Sequence, residues 1–248
     1  MLSLFHSNTF LPDFKALVSQ ETKAFFILNI MENKNIPGLP HLQFRNIFCI
    51  GRNYVEHAKE LNNEVPSKPL VFLKPTSSII FDGDNIQIPP QSQNVHHEVE
   101  LAVAIDKAGK EIPKEKALQH VGGYGIGIDV TARDIQQKAK EQGHPWSVAK
   151  GFDTFAPLST FIKKDQVEDP QNLNLQISVN GEVRQSDSTK LMIHTAADLI
   201  HYLSTIFTLQ PGDIILTGTP KGVSSISKGD KIEASLDNGL AIISVTVE

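Results

Sequence analysis

A chain of 248 residues with a formal net charge of −5 offers no basic footprint to a phosphate backbone, which sets nucleic acid aside as a partner. Hydrophobic residues make up 40% and charged residues 21%, with Gly and Pro dispersed, which excludes a disordered or fibrous chain. No apolar stretch nears the ~20 residues of a membrane-spanning helix, and the single cysteine, Cys49, rules out an intrachain disulfide and fits a reducing cytoplasm.

Residues 1–45 carry apolar residues without sustained periodicity and end in the Pro-rich Ile36-Pro37-Gly38-Leu39-Pro40. They are expected to form an N-terminal extension of unassigned role, ahead of one catalytic domain over residues 46–248. Residues 1–23 lack the basic start, apolar centre and small-residue cleavage site of a secretory signal, so export is not expected.

From Asn46 onward short apolar runs alternate with turn residues. Ile47–Ile50, Leu70–Leu73, Leu101–Ile105, Leu173–Val179, Ile214–Thr217, Lys231–Ala234 and Ala241–Val247 have the length and β-branched content of strands. Helical spacing is expected over Tyr54–Leu61, Thr131–Glu141 and Thr195–Phe207, the last opened by Thr195 and Asp198 as a capping pair. Asn180-Gly181 and Asp237-Asn238-Gly239 mark hairpins. Strands are many, helices few, and no regular strand–helix alternation occurs, so the expected class is α+β, predominantly β.

In the first expected helix His57 and Glu60 are three positions apart and face the same way, so the carboxylate can orient the imidazole as a proton acceptor. Taken alone, such a pair is more often a solvated helix surface.

His96-His97-Glu98-Val99-Glu100-Leu101 reads as a strand in which Glu98 and Glu100 point to one face, their Cα atoms about 6.5–7 Å apart. The apolar run that follows suggests burial, and buried anions need a partner. A third carboxylate, Asp129, ends the glycine-rich run Gly122–Ile128. Three carboxylates with water make a hard oxygen site suited to Mg²⁺ or Mn²⁺. His96 shares the glutamate face in strict alternation, so a mixed zinc or iron site is the alternative, and a supporting role for His96 is the preferred reading.

Arg133 and Gln136 share a helix face after Asp129 and can bind a substrate carboxylate, or can be ordinary surface residues. Lys150 follows Trp146-Ser147-Val148-Ala149 in an apolar setting, where an ammonium can stabilise enolate charge. The loop Leu216-Thr217-Gly218-Thr219-Pro220-Lys221-Gly222-Val223 offers hydroxyls and backbone N–H groups to a small anion, without the pattern of a phosphate loop.

Taken in order, GRNYxxHxxE, HHExEL, GYxxxxDVTARDxQ, PWxxAKxFD and LTGTPxGV resemble the fumarylacetoacetate hydrolase family, in particular its short acylpyruvase and oxaloacetate decarboxylase-like members. The resemblance runs from about Asn46 to Glu248. It implies a mixed β-roll with few helices, usually a homodimer, and Mg²⁺ or Mn²⁺ bound by Glu98, Glu100 and Asp129. It also implies assistance from Lys150 and a water-activating His57–Glu60 pair on a mobile lid. Arg52, Arg133, Gln136 and Thr219 are the expected substrate contacts. The reaction expected first is C–C bond hydrolysis of an acylpyruvate, a small 2-oxo acid, through a pyruvate enolate. Oxaloacetate decarboxylation or tautomerisation and hydroxymuconate-type isomerisation are the alternatives, with a metal-stabilised binding protein as the reading of another class.

Overall fold

The six-stranded sheet that organises the molecule runs Ile162–Lys163, Val121–Ile128, Val99–Ile105, Ile214–Leu216, Ile47–Gly51 and Leu70–Lys74 from edge to edge. A computed structural model describes residues 35–61 and 63–248; expectations on residues 1–34 and on Asn62 fall outside it. Every residue of Val99–Ile105 is buried, because both faces of this sheet are covered and the inside–outside alternation of a half-exposed strand is lost. One face places Leu101, Val103 and Ile126 against Leu175, Ile177, Ile232 and Ile243 of a second sheet. The other places Ala102, Ala104, Cys49 and Leu216 against Leu158 and Phe161.

The second sheet orders Glu182–Ser188, Asn174–Val179, Lys231–Leu236, Ala241–Val247 and Asn85–Ile86, with only the last pair parallel. Its first hairpin turns at Asn180-Gly181, both in left-handed backbone (φ 53° and 79°), as a two-residue turn of matching twist requires. The register slips between Ile177 and Ser178, which leaves Arg184 as an extra residue and turns Gln185 into the interior.

Residues 35–43 form a hairpin of Asn35–Ile36 and Leu39–Gln43, and Ile36, Leu39 and Leu42 are buried in the second apolar cluster. Phe161 N–H donates to Pro37 O at 2.8 Å, fastening the hairpin to the sheet edge. These residues precede position 46, where the domain was expected to begin, and contribute to its core.

Two local expectations change. The run from His96 to Glu100 is two strands: Val95–His97 pairs with Thr131–Ala132 and Ser224–Ile226 in a three-stranded sheet, and Val99–Ile105 belongs to the six-stranded one. Glu98 is the joint where the chain changes sheet. The helix expected over Thr131–Glu141 starts later, at Arg133–Gln142, because Thr131 and Ala132 pair with His96 and Val95. The other helices run Val55–Glu60, Ser147–Lys150 and Ala196–Ile206, the last with Thr195 and Asp198 in the reciprocal capping arrangement. No helix among the described residues is long and apolar enough to cross a membrane.

Candidate metal and active site

The sheet change at Glu98, the strand Val99–Ile105 and the end of Val121–Ile128 bring three carboxylates to one place. Glu98, Glu100 and Asp129 are all buried, and each offers an oxygen within 4.8 Å of those of the other two. Asp129 N–H donates to Glu98 O at 2.8 Å, so the backbones that carry these two carboxylates hold each other. Gly127 lies opposite Glu100 across the strand pair, and a Cβ there would meet Leu216 Cδ2 at 2.6 Å, so any larger residue displaces that leucine side chain.

Cations surround the triad unevenly. Lys150 Nζ donates to Glu98 Oε2 at 2.9 Å, Asp129 Oδ2 at 2.6 Å and Thr131 Oγ1 at 2.6 Å, which uses all three of its hydrogens. Arg133 pairs with Glu98 Oε1 and reaches Gln136 Oε1 at 2.7 Å. Burial alone would raise the Glu98 carboxyl, but Lys150, Arg133 and His57 outweigh it and hold the group well below the usual carboxylate range. Among the described residues Glu100 has no such partner. Burial, then the charges of Asp129 and Glu98, push it well above that range, and its one hydrogen bond is from Gly218 N–H at 2.6 Å to Oε2.

Lys74 is a neighbour that the sequence did not single out. Its ammonium spends its hydrogens on the carbonyls of Val130, Lys150 and Phe155 at 2.9, 2.5 and 2.8 Å. It also stands 2.8 Å from Asp129 Oδ1, an ion pair whose geometry is not that of a formed hydrogen bond. Three buried carboxylates with converging oxygens, one of them a glutamate without an ion pair among the described residues, are what a hard divalent cation complements. The donor set therefore fits Mg²⁺ or Mn²⁺.

His57, Arg52, Arg133, Gln136, Lys150 and Thr219 line one pocket with Glu98 and Glu100. His57 Nδ1 is buried 3.5 Å from Glu60 Oε2, too long for a well-formed hydrogen bond. Glu60 instead accepts Gly222 N–H at 3.0 and 3.2 Å, clasping the short helix Val55–Glu60 to the loop after Leu216. His96 stands outside the carboxylate cluster, its Nε2 2.9 Å from Asn94 Oδ1. The sheet change at Glu98 interrupts the alternation that put His96 on the glutamate face.

Gln185, delivered inward by the Arg184 bulge, ties the site together. Its carbonyl accepts Val99 N–H at 3.0 Å and faces His97 Nδ1 at 3.1 Å, while its amide donates to Thr219 Oγ1 and Pro220 O, both at 2.8 Å. Replacing it with Leu leaves these buried groups unpaired. The expected loss is about 2–4 kcal/mol of unfolding free energy by denaturant titration; a change below about 0.5 kcal/mol would remove Gln185 from the frame of the site.

The family model for the fumarylacetoacetate (FAA) hydrolase C-terminal region matches residues 46–248. The chain is 48% identical over 206 residues to the mitochondrial oxaloacetate tautomerase FAHD1 of Arabidopsis thaliana, covering 83% of this chain and 92% of that one. It is 48% identical over 193 residues to the mitochondrial oxaloacetate decarboxylase of Dictyostelium discoideum, covering 77% and 88%. Its fold superposes with a TM-score of 0.80 on a crystal structure of fumarylpyruvate hydrolase from Pseudomonas aeruginosa in complex with Mn²⁺ and pyruvate, at 36% identity, covering 83% and 90%. Motif order, fold and similarity agree across most of the chain, and the protein is a member of the fumarylacetoacetate hydrolase family.

Proposed function

We propose that the chain is a divalent-metal-dependent enzyme that interconverts the keto and enol forms of oxaloacetate. The observation that carries this reading is a buried imidazole, His57, in one pocket with Glu98 and Glu100, whose carboxylates converge with that of Asp129. The similarity to an oxaloacetate tautomerase at 48% identity directs it to that substrate.

Glu98, Glu100 and Asp129 would hold Mg²⁺ or Mn²⁺, which when bound supplies Lewis-acid polarisation of a 2-oxo group. Arg133, Gln136 and the Thr219 hydroxyl orient the substrate carboxylate. His57 removes a proton from C3; the electron pair of that bond forms the C2–C3 double bond, the C2–O π pair moves onto the 2-oxo oxygen, and that oxygen takes up the proton His57 carries. Lys150 acts mainly through Glu98 and Asp129, since its hydrogens are committed to them and to Thr131. Glu60 keeps the His57 helix closed against Gly222.

His57 must be neutral to accept a proton. Burial lowers its proton affinity first, Glu98 partly restores it and Arg133 opposes that, with a net shift below the ordinary 6.5. The imidazole is therefore competent at every pH above this lowered value. The acid limb of kcat/KM is expected below pH 6.5, and the same limb surviving in His57→Ala would contradict the assignment. His57→Ala itself is expected to lower kcat by roughly 10²–10⁴.

The direct test is purified protein with Mg²⁺ or Mn²⁺, following the enol absorbance and carbon dioxide release from oxaloacetate beside cleavage of acetylpyruvate and fumarylpyruvate. Fast tautomerisation with slow cleavage supports the proposal. Hydrolysis is the second reading, favoured by the likeness to the fumarylpyruvate hydrolase structure and by the His57–Glu60 pair. It takes over if acylpyruvate cleavage dominates and depends on His57. The free, buried Cys49 fits a reducing compartment, cytoplasmic or, by likeness to the relatives named above, mitochondrial.

A further inference from the structure

Three of the cations around the triad already have carboxylate partners: Lys74 and Lys150 at Asp129, and Lys150 and Arg133 at Glu98. Two more, Arg52 and Lys140, line the same pocket and make no ion pair or side-chain hydrogen bond among the described residues. Lys140 shares the helix stripe of Arg133 and Gln136, at spacings of three and four, so the helix that presents those residues presents its ammonium as well.

The setting of Lys140 is built. Its Nζ stands 5.7 Å from the Trp146 ring centroid, Trp146 packs edge-on against Phe72 at 5.6 Å, and the Phe72 ring lies 4.9 Å from Lys150 Nζ. One aromatic wall thus has an inner lysine at the acidic triad and an outer lysine further along the pocket. Arg52 reaches the pocket from left-handed backbone (φ 58°), a conformation that costs a non-glycine residue free energy and recurs at functional sites. Half-burial of Lys140, with repulsion from Arg52 and Arg133, weakens its hold on its proton, a crowding that an anion between the two side chains relieves.

We propose that Arg52 and Lys140 form a subsite for the second carboxylate of the substrate, so that the pocket selects 2-oxo diacids over 2-oxo monoacids. The inference deepens the reading above and rests on its placing of the reacting end of a 2-oxo acid at the triad. Arg52 supplies a fixed fork and Lys140 a point charge steadied by the indole face.

The matched pair (S)-malate and (S)-lactate isolates the second carboxylate, since both carry the same 2-hydroxy acid end. Calorimetric titration of Mn²⁺-loaded protein is expected to give at least about tenfold tighter binding of malate in the wild type. In Lys140→Met the ratio is expected to fall below about threefold, and in Lys140→Met with Arg52→Gln to near unity, with the loss almost entirely in malate affinity. Lys140→Arg keeps the charge and is expected to keep most of the preference. No preference in the wild type, or one that survives the double substitution, overturns the subsite. Oxaloacetate turnover on the same samples separates the two readings. An inactive wild type that still prefers malate removes the tautomerase assignment alone, and an active one without preference removes the subsite alone.

Discussion

Glu100→Gln is expected to abolish metal-dependent turnover while leaving the fold intact, the sharpest separation of function from stability that this site allows. The amide has the shape of the carboxylate and its oxygen can still accept Gly218 N–H. No lysine or arginine pairs with Glu100 among the described residues, so the substitution orphans no buried cation. What it removes is one of three anionic donors, and a fall of on the order of 10²-fold or more in Mn²⁺ affinity, with a matching loss of kcat/KM, follows. Equilibrium dialysis with Mn²⁺ and thermal unfolding measure the two sides. Retained Mn²⁺ affinity sinks the assignment of Glu100 as a ligand. Glu98→Ala and Asp129→Ala are expected to lose turnover too, with added destabilisation, because each leaves Lys150 short of a partner.

Lys150→Met is the converse case, in which stability and turnover fall together. The thioether chain fills most of the space of the lysine stem, but Glu98 loses one of its two cations and Asp129 keeps only Lys74 at 2.8 Å. Burial lowers the proton affinity of Lys150, yet Asp129 and Glu98 outweigh it and raise the net value, so the wild-type ammonium stays charged throughout the working range. Its removal is expected to cost about 3–5 kcal/mol of unfolding free energy, as for a broken buried pair. Turnover at Mn²⁺ concentrations that half-saturate the wild type is expected to fall by about 10–100-fold or more. Because the hydrogens of Lys150 serve the carboxylates, part of the turnover loss should disappear as Mn²⁺ is raised. A loss independent of Mn²⁺ concentration would instead mean that Lys150 acts on the substrate directly.

The acidic triad was legible because two glutamates enter an apolar run and an aspartate ends a glycine-rich one, patterns that a purely structural strand seldom tolerates. The strands were legible for the same local reason, β-branched and aliphatic runs between turn residues. What stayed hidden depends on pairing between distant segments. Nothing near Glu98 says that the chain changes sheet there. Lys74 closes an apolar run as any strand-ending lysine does, and only the fold brings it to Asp129. Gln185 sits in Glu182–Ser188, a stretch that reads as an exposed edge, and becomes interior through a one-residue register slip that no composition announces. Residues 35–43 are Pro-containing and short, and their apolar side chains matter because the fold buries Ile36, Leu39 and Leu42 against Phe161 and Leu216 in the second apolar cluster.

The strand Ile214–Leu216, held between Ile47–Gly51 and Val99–Ile105, has a consequence for how the protein is made. Asn46 N–H and its side-chain amide both donate to Asp213 Oδ1, joining groups 167 positions apart. At ordinary ribosomal speeds the first partner waits on the order of 10–30 s before the middle strand is synthesised. Until then two apolar strands that will later be separated have open edges, in a chain that cannot yet close its largest sheet. Folding of the catalytic half must therefore be largely post-translational and slow for its size, governed by long-range pairing rather than by local helices. A premature stop before residue 214 would leave a nascent chain with its central slot permanently open, a substrate for chaperones and proteases rather than a partly active enzyme.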